Sequence, residues 1–323
     1  MKTKKILLVG ASLISGNRGV NALTRSAIEG LIDHLDSPQI KILSYTAKKK
    51  IIHTFYNNNQ QLLIEEIPVN TKYATFLSYL SFLGKNIYTI TSKIDSFKDI
   101  LIHIDWADLI LDISEGDSFS DIYGWKRFVM HSNIKILAVN KNKNLVLLPQ
   151  TMGPFKNKLF QKIAKYICNR AQYNYARDLI SFNYLKDEIG VKENKIKYCP
   201  DLAFYMKPIE KDAVLDIKED VASDILIGIN ISGLLYNGGY TNNNMFGFIS
   251  DYKEVMEKIV EMFLDEYKNV KIVFIPHVIT DTLPEEDDLQ VCQKMYDKYS
   301  KRYPSRIYLW KDYLREDEIK GML

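Results

Sequence analysis

The chain has 323 residues, 46% of them hydrophobic, and a formal net charge of +3 from 43 basic and 40 acidic side chains. A chain of this length and apolar content buries a large core and exceeds the usual single-domain size, so two domains are expected. The charges are mixed along the sequence with no basic stripe interleaved with aromatics, which argues against a nucleic-acid-binding protein.

The N-terminal run Met1-Lys2-Thr3-Lys4-Lys5 before Ile6–Ile14 has the basic and apolar regions of a signal peptide, but the apolar stretch is short and broken by Gly10 and Ser12. It reads as a first strand. No other stretch approaches the roughly 20 apolar residues of a membrane span. Cys168, Cys199 and Cys292 are widely separated and odd in number, which suits a reducing compartment and offers neither a disulfide framework nor a metal knuckle. A cytoplasmic protein is expected.

Short β-rich runs alternate with longer helical patterns, the signature of a parallel-sheet α/β fold. Strands are predicted at 6–10, 40–45, 62–67, 109–113, 145–149, 173–176 and 195–199, with helices at 21–35, 74–83, 123–139, 158–170 and 179–189. A polar stretch follows. A second series then runs through a strand at 225–231, a helix at 252–267, a strand at 271–276, a helix at 289–303, a strand at 306–310 and a helix from Glu316. The expected organisation is an N-terminal Rossmann-like domain over 1–206, a linker over 207–224 and a C-terminal Rossmann-like domain over 225–323. Three strands and an unfinished helix make the second domain look incomplete.

Candidate ligand loops fall where strands end, which is where open α/β sheets bind ligands. After the first strand, Gly16-Asn17-Arg18-Gly19-Val20-Asn21 leads into a helical pattern of Leu23, Ala27 and Leu31. Backbone N–H groups and the positive end of a helix dipole converge there, which favours an anion, most often a phosphate. Gly16 and Gly19 permit close approach, and Asn17, Arg18 and Asn21 add donors. The spacing is not the dinucleotide fingerprint, and a purely structural tight loop fits equally well. Further loops at Ser114–Phe119 and Pro149–Pro154 are candidate pocket walls, with Asp117 as a general acid or base, or a turn former, and Gln150 as an orienting donor.

Arg177 either grips a phosphate or carboxylate in bidentate fashion or pairs with the adjacent helix cap. In the second series, Asn230 and Ser232 end a strand with small polar groups, and His277 places an imidazole at another strand terminus. His277 is the best acid/base candidate among five histidines; His34, His53, His103 and His131 read as structural. The loop Tyr236-Asn237-Gly238-Gly239-Tyr240 combines amphipathic rings, amides and glycines, as a mobile sugar-binding loop would.

In combination these strings resemble the polysaccharide pyruvyl transferase family. The resemblance rests on G-N-R-G-x-N-A-L from Gly16, the loop Glu115–Phe119, L-P-Q-T-M-G-P at Leu148–Pro154, A-R-D-x-x-S at Ala176–Ser181, P-D-L-A-F at Pro200–Phe204, G-I-N-I-S at Gly228–Ser232 and I-P-H at Ile275–His277. It implies two Rossmann-like domains facing a cleft, as in the B-type glycosyltransferase fold. It also implies transfer of pyruvate from phosphoenolpyruvate to a sugar of a capsule, exopolysaccharide or cell-wall repeat unit as a cyclic ketal.

Phosphoenolpyruvate is then a donor substrate, with no cofactor or metal. The acceptor is a sugar or lipid-linked glycan, which brings the protein to membrane-bound glycan machinery at the inner face of the membrane. Arg177 and the Asn17–Asn21 loop become clamps for the donor, and His277, Asp117 and Asp201 the candidates for moving protons. Two departures bear on this. Many family members carry Gly-Asp where this chain has Gly19-Val20-Asn21, and the family's later Arg-x-His element, expected on the strand after the helix that starts at Glu316, is not in the sequence to Leu323; a pyruvyl transferase is expected, inactive as it stands if the chain is a truncated one. The rival readings are a nucleotide-sugar-dependent glycosyltransferase and a noncatalytic glycan-assembly protein.

Overall fold

The computed structural model describes residues 4–57, 60–84, 86–91, 93–209, 225–311 and 314–322. It divides into two compact units, one comprising residues 1–15 and 19–206, the other 16–18 and 207–323. The predicted linker lies largely outside the described residues, because 210–224 are not among them.

The first unit is built on an eight-stranded sheet of β1 (Lys5–Val9), β2 (Gln39–Ser44), β3 (Ile51–Asn57), β4 (Gln60–Pro68), β5 (Leu109–Asp112), β6 (Asn144–Gln150), β7 (Tyr173–Ala176) and β8 (Ile196–Tyr198). Their order across the sheet is β3-β4-β2-β1-β5-β6-β7-β8. All neighbours pair in parallel except β3 with β4. The parity of β1 explains why it lies at the centre. Ile6 and Leu8 join one core with Leu23, Ala27, Ile28 and Ile32 of the helix Arg18–His34. Leu7 and Val9 join the other, with residues of the helices Thr71–Leu80, Asp95–Trp106, Trp125–Asn140 and Lys158–Arg170. A strand buried on both faces must be apolar at every position, and each such side chain contributes about 1.5–3 kcal/mol on burial.

The first helix begins at Arg18, three residues before the predicted start. The strand β3 and the helix Asp95–Trp106 add to the predicted elements. The predicted helix over 179–189 is instead a short α-helix, Leu179–Asn183, continued by one π-turn at Tyr184–Glu188.

The second unit carries a three-stranded parallel sheet in the order β11 (Ile307–Leu309), β10 (Val270–Phe274), β9 (Ile225–Ile229). The helices Tyr252–Glu266 and Asp288–Tyr299 cover it, with Met256, Val260, Leu264, Val291, Cys292 and Met295 in the same core as Ile272 and Phe274. Among the described residues, no helix is long and apolar enough to cross a membrane.

Candidate active site

In the first unit the loops after β1, β5, β6 and β7 are stitched together at the C-terminal edge of the sheet. Ser114, Glu115 and Gly116 take φ angles of 49°, 52° and 92° in succession. Left-handed conformation at two non-glycine residues costs on the order of 1–3 kcal/mol each and persists only where the surroundings over-determine it. Here Glu115 N–H donates to the Gly10 carbonyl at 2.8 Å, Thr151 N–H to the Gly116 carbonyl at 2.8 Å, and Gly153 N–H to the Phe119 carbonyl at 3.0 Å.

The turn delivers Glu115 to a stripe of three cationic or titratable side chains on the helix Trp125–Asn140. Arg127, His131 and Lys135 recur at four-residue spacing and so share one face. Arg127 Nη2 lies 2.8 Å and His131 Nε2 3.3 Å from Glu115 Oε2. Arg127 also donates from Nε to Ser118 Oγ at 2.9 Å. Burial alone raises the Glu115 carboxyl, but His131 and Arg127 outweigh it and hold the group at about 2.

One turn further, Lys135 and Asp112 form a fully buried ion pair at 2.8 Å. Lys135 Nζ donates to Ser114 Oγ at 2.6 Å, and Ser114 Oγ donates to Asp112 Oδ2 at 2.7 Å. Desolvation lowers the Lys135 pKa, and Asp112 opposes that shift.

The Glu115 carboxyl binds protons less readily folded than unfolded, so its stabilising contribution is complete above about pH 4.5 and is lost as the pH falls towards 2. Glu115→Gln is expected to flatten the fall of stability over that window, removing roughly 3 kcal/mol of pH-dependent change at most. Urea midpoints measured from pH 6 to pH 2.5 test this, and parallel curves for the two proteins would contradict it.

Arg177, at the end of β7, donates from Nε to Thr151 Oγ1 at 2.9 Å and from Nη1 to Asp201 Oδ2 at 2.7 Å. A Cβ on Gly116 would stand 3.3 Å from Arg177 Nη1 and 3.0 Å from Leu23 Cδ1, so glycine there lets the guanidinium lie close against the turn. The helix cap belongs to Asp178, which accepts from Ser181 N–H at 2.6 Å; the carboxylate paired with Arg177 is therefore Asp201. Asp201 also accepts from Ala203 N–H at 2.8 Å.

Gln150 is fully buried and donates from Nε2 to the Asp112 carbonyl at 3.0 Å and to its carboxylate at 3.2 Å. Asp117 is half-buried and accepts from Tyr123 Oη–H at 2.6 Å. Gly19 lies in the first turn of the helix Arg18–His34 with Asn21, whose buried amide brackets the Ser15 backbone at 2.9 and 3.0 Å.

In the second unit, the loops after β9 and β10 converge on Asp288. Its carboxylate accepts from Gly233 N–H at 2.7 Å, Val278 N–H at 2.9 Å, His277 N–H at 3.0 Å and Asn230 Nδ2 at 3.0 Å, while the side chain is almost fully buried. Four N–H donors offset the cost of burying a carboxylate. Ser232 Oγ accepts from Leu235 N–H at 3.3 Å as a helix cap. Asn17 bridges to Val278, and Arg18 donates from Nη1 to the Pro276 carbonyl at 2.7 Å. The His277 side chain keeps solvent access. Desolvation by the surrounding protein nevertheless lowers its pKa, Asp288 opposes this, and Arg18 adds to it.

Arg177, Asp201, Gln150 and Asp117 thus share one network of loops in the first unit, and Asn17, Arg18, Asn230 and His277 another in the second. Sequence reasoning missed Asp112, Glu115, Arg127, Lys135 and Asp288, and assigned His131 to structure alone. The Arg127, His131, Lys135 spacing was the available signal: three basic side chains on one helical face require buried counter-charges if that face turns inward. Among the described residues, no group of three or more His, Cys, Asp or Glu side chains is arranged to hold a metal ion.

The parallel-dominated α/β architecture is that of the B-type glycosyltransferases and related epimerases. The S. aureus MnaA–UDP co-structure is similar over 99% of this chain and 72% of its own, with a TM-score of 0.55 and 11% identity. Anabaena Alr3699/HepE in complex with UDP and glucose is similar over 99% and 72%, with a TM-score of 0.52 and 11% identity. At such identity the likeness is one of fold. The chain belongs to the polysaccharide pyruvyl transferase family, whose model matches residues 17–316. It is 26% identical over 255 residues to the amylovoran biosynthesis protein AmsJ of Erwinia amylovora, a match covering 71% of this chain and 57% of AmsJ.

Proposed function

We propose that the protein transfers the pyruvyl group of phosphoenolpyruvate to two hydroxyls of one sugar in an exopolysaccharide, capsule or cell-wall repeat unit, releasing phosphate and leaving a cyclic ketal. Family membership and the likeness to an amylovoran biosynthesis protein support this reading. The observation that carries it at the level of residues is Arg177. Its Nε and Nη1 are held by Thr151 and Asp201, so a planar cation is fixed in direction before any ligand arrives. Such a fork suits a carboxylate or phosphate, and phosphoenolpyruvate carries both.

In the proposed reaction a proton is delivered to the methylene carbon, and positive character develops at C2. The first sugar hydroxyl adds there and loses its proton. Phosphate then departs, and the second hydroxyl adds at the same carbon and loses its own proton. Asp117 is the carboxyl assigned to the methylene proton. Asp201 serves by orienting Arg177. His277, with its pKa lowered, is neutral at pH 7 and accepts a hydroxyl proton rather than supplying one. The Asn17–Asn21 segment and Gln150, Asn230 and Ser232 act in donor binding or in holding the loops that do. No cofactor enters, and the acceptor is a soluble or lipid-linked glycan met on the cytoplasmic side of a membrane.

Calorimetric titration of phosphoenolpyruvate, with a uridine diphosphate sugar as comparison ligand, tests the reading. Saturable binding of phosphoenolpyruvate that weakens about 30-fold or more in Arg177→Ala is expected, in line with loss of a charge-assisted fork. Preference for the sugar nucleotide would move the assignment to glycosyl transfer, and binding of neither would leave a glycan-assembly protein.

A further inference from the structure

Within the second unit, an open pocket of about 350 Å³ lies beside the N-terminus of the helix Tyr252–Glu266, lined in part by Tyr236, Asn242, Asn244, Phe246, Phe248 and Tyr252. Its size is within the roughly 300–1,000 Å³ of small-molecule sites. We infer that this pocket is a carbohydrate subsite that takes one pyranose ring of the glycan. The inference rests on the proposed transfer to a sugar and adds where a sugar of that glycan is gripped.

The first argument is chemical. A pyranose ring presents an apolar C–H face and a rim of hydroxyls, so its site needs aromatic planes next to amide donors and acceptors. Phe246 and Phe248 stand 5.9 Å apart with their planes inclined by 37°. Phe248 is 47% exposed and the adjoining Ile249 fully so, leaving a solvent-facing apolar surface. Beside it, Asn242 is exposed and makes no side-chain hydrogen bond among the described residues. Tyr236 also lines the pocket, with Lys253 Nζ 4.8 Å from its ring centroid. The lining mixes neutral amides and rings with Lys253 and Asp251, so uridine diphosphate is the charged comparison ligand.

The second argument is that the pocket is built in advance. Gly238, Gly239, Asn242, Asn244 and Gly247 all have φ between 43° and 79°. A Cβ on Gly239 would fall 2.5 Å from Met245 Cβ, so glycine is required there for the loop to close on itself. Asn244 spends its amide on Phe248, accepting from its N–H at 2.9 Å and donating to its carbonyl at 2.8 Å, which fixes the backbone that carries the exposed ring. Asn237 Nδ2 donates to the Glu285 carbonyl at 3.2 Å, Tyr240 bonds Glu286, and Tyr252 Oη accepts from Ser232 N–H at 3.1 Å. Rings held in place without a ligand lose little freedom when one binds.

The test is ligand-observed NMR with the 323-residue protein and the methyl glycosides of galactose, glucose, mannose and N-acetylglucosamine, with affinities taken from titration. Saturation transfer to the ring C–H protons of at least one glycoside is expected. Phe248→Ala is expected to weaken that binding about tenfold, and Asn242→Ala severalfold. Both side chains are exposed, so folding should survive, and Phe204→Ala, which removes an 80% exposed ring in the first unit, should leave affinity unchanged. The inference is overturned if no glycoside binds, if binding ignores both substitutions, or if uridine diphosphate alone shows the Phe248 dependence. Phosphoenolpyruvate titration of Phe248→Ala keeps the two ideas apart. In Phe248→Ala the donor is expected to bind as in the parent; in the parent, donor binding with no glycoside binding sinks the subsite alone, whereas glycoside binding without donor binding sinks the pyruvyl transfer reading alone.

Discussion

Lys135→Met is expected to destabilise the first unit by about 3–5 kcal/mol, the usual cost of removing one member of a buried ion pair. Lys135 and Asp112 both have side chains with no solvent access, and the pair is held at 2.8 Å. The substitution conserves most of the side-chain volume against Phe119, over which the Lys135 ammonium lies at 4.7 Å. What it removes is the counter-charge. Asp112 would keep hydrogen bonds from Ser114 Oγ and Gln150 Nε2 only. Against a typical domain stability of about 5–15 kcal/mol, such a loss is large. The double variant Asp112→Asn with Lys135→Met removes both charges and is expected to recover a substantial part of the loss. Urea unfolding of the two singles and the double supplies the cycle. A single variant within about 1 kcal/mol of the parent would mean that the pair is not what holds this loop. The stakes are functional as well, because Ser114 links the ion pair to the left-handed turn that carries Glu115 and leads to Asp117.

The fold was legible where burial dictated composition. β1 is apolar at consecutive positions because both faces of a central parallel strand are covered, and the first helix shows its core face in Leu23, Ala27, Ile28 and Ile32. β3 escaped because it is an antiparallel edge strand whose outer residues, Ile52 and Tyr56, are 58% and 72% exposed, so alternation there does not separate core from solvent. The helix Asp95–Trp106 was readable in principle, since Phe97, Ile100, Leu101 and Ile104 follow the three-and-four spacing of an inward face. The site was legible as loops but not as pairings. Arg177 could be placed at a strand end from sequence, yet its partner Asp201 lies 24 residues on, beyond β8, and the helix-cap pairing was the equally simple alternative. Asp288 shows the same limit. It reads as one more acid near a helix start, and only the convergence of the β9 and β10 loops makes it the acceptor for four N–H groups.

His277→Ala is expected to lower kcat by roughly 10²–10⁴ under the proposed chemistry, the range associated with loss of a general base. The pH profile separates this role from a structural one. Desolvation and Arg18 favour the neutral imidazole, and the opposing influence of Asp288 does not restore the ordinary value of 6.5. A base must be unprotonated, so activity is expected to persist as the pH falls through 6.5 and to decline only below the lowered pKa. In the alanine variant the residual rate should lose that acidic limb. Linkage gives a second readout of the same sign: the unfolded chain takes up a proton at His277 near pH 6.5 before the folded chain does, so the residue withdraws stability as the pH falls from above 6.5 towards its folded value. The peptide N–H of His277, not its ring, is bonded to Asp288, so the loop's anchor survives truncation of the side chain. A fall in kcat with an unchanged acidic limb would therefore remove His277 from proton transfer and return the base to a carboxylate, with Asp117→Asn the next variant to assay.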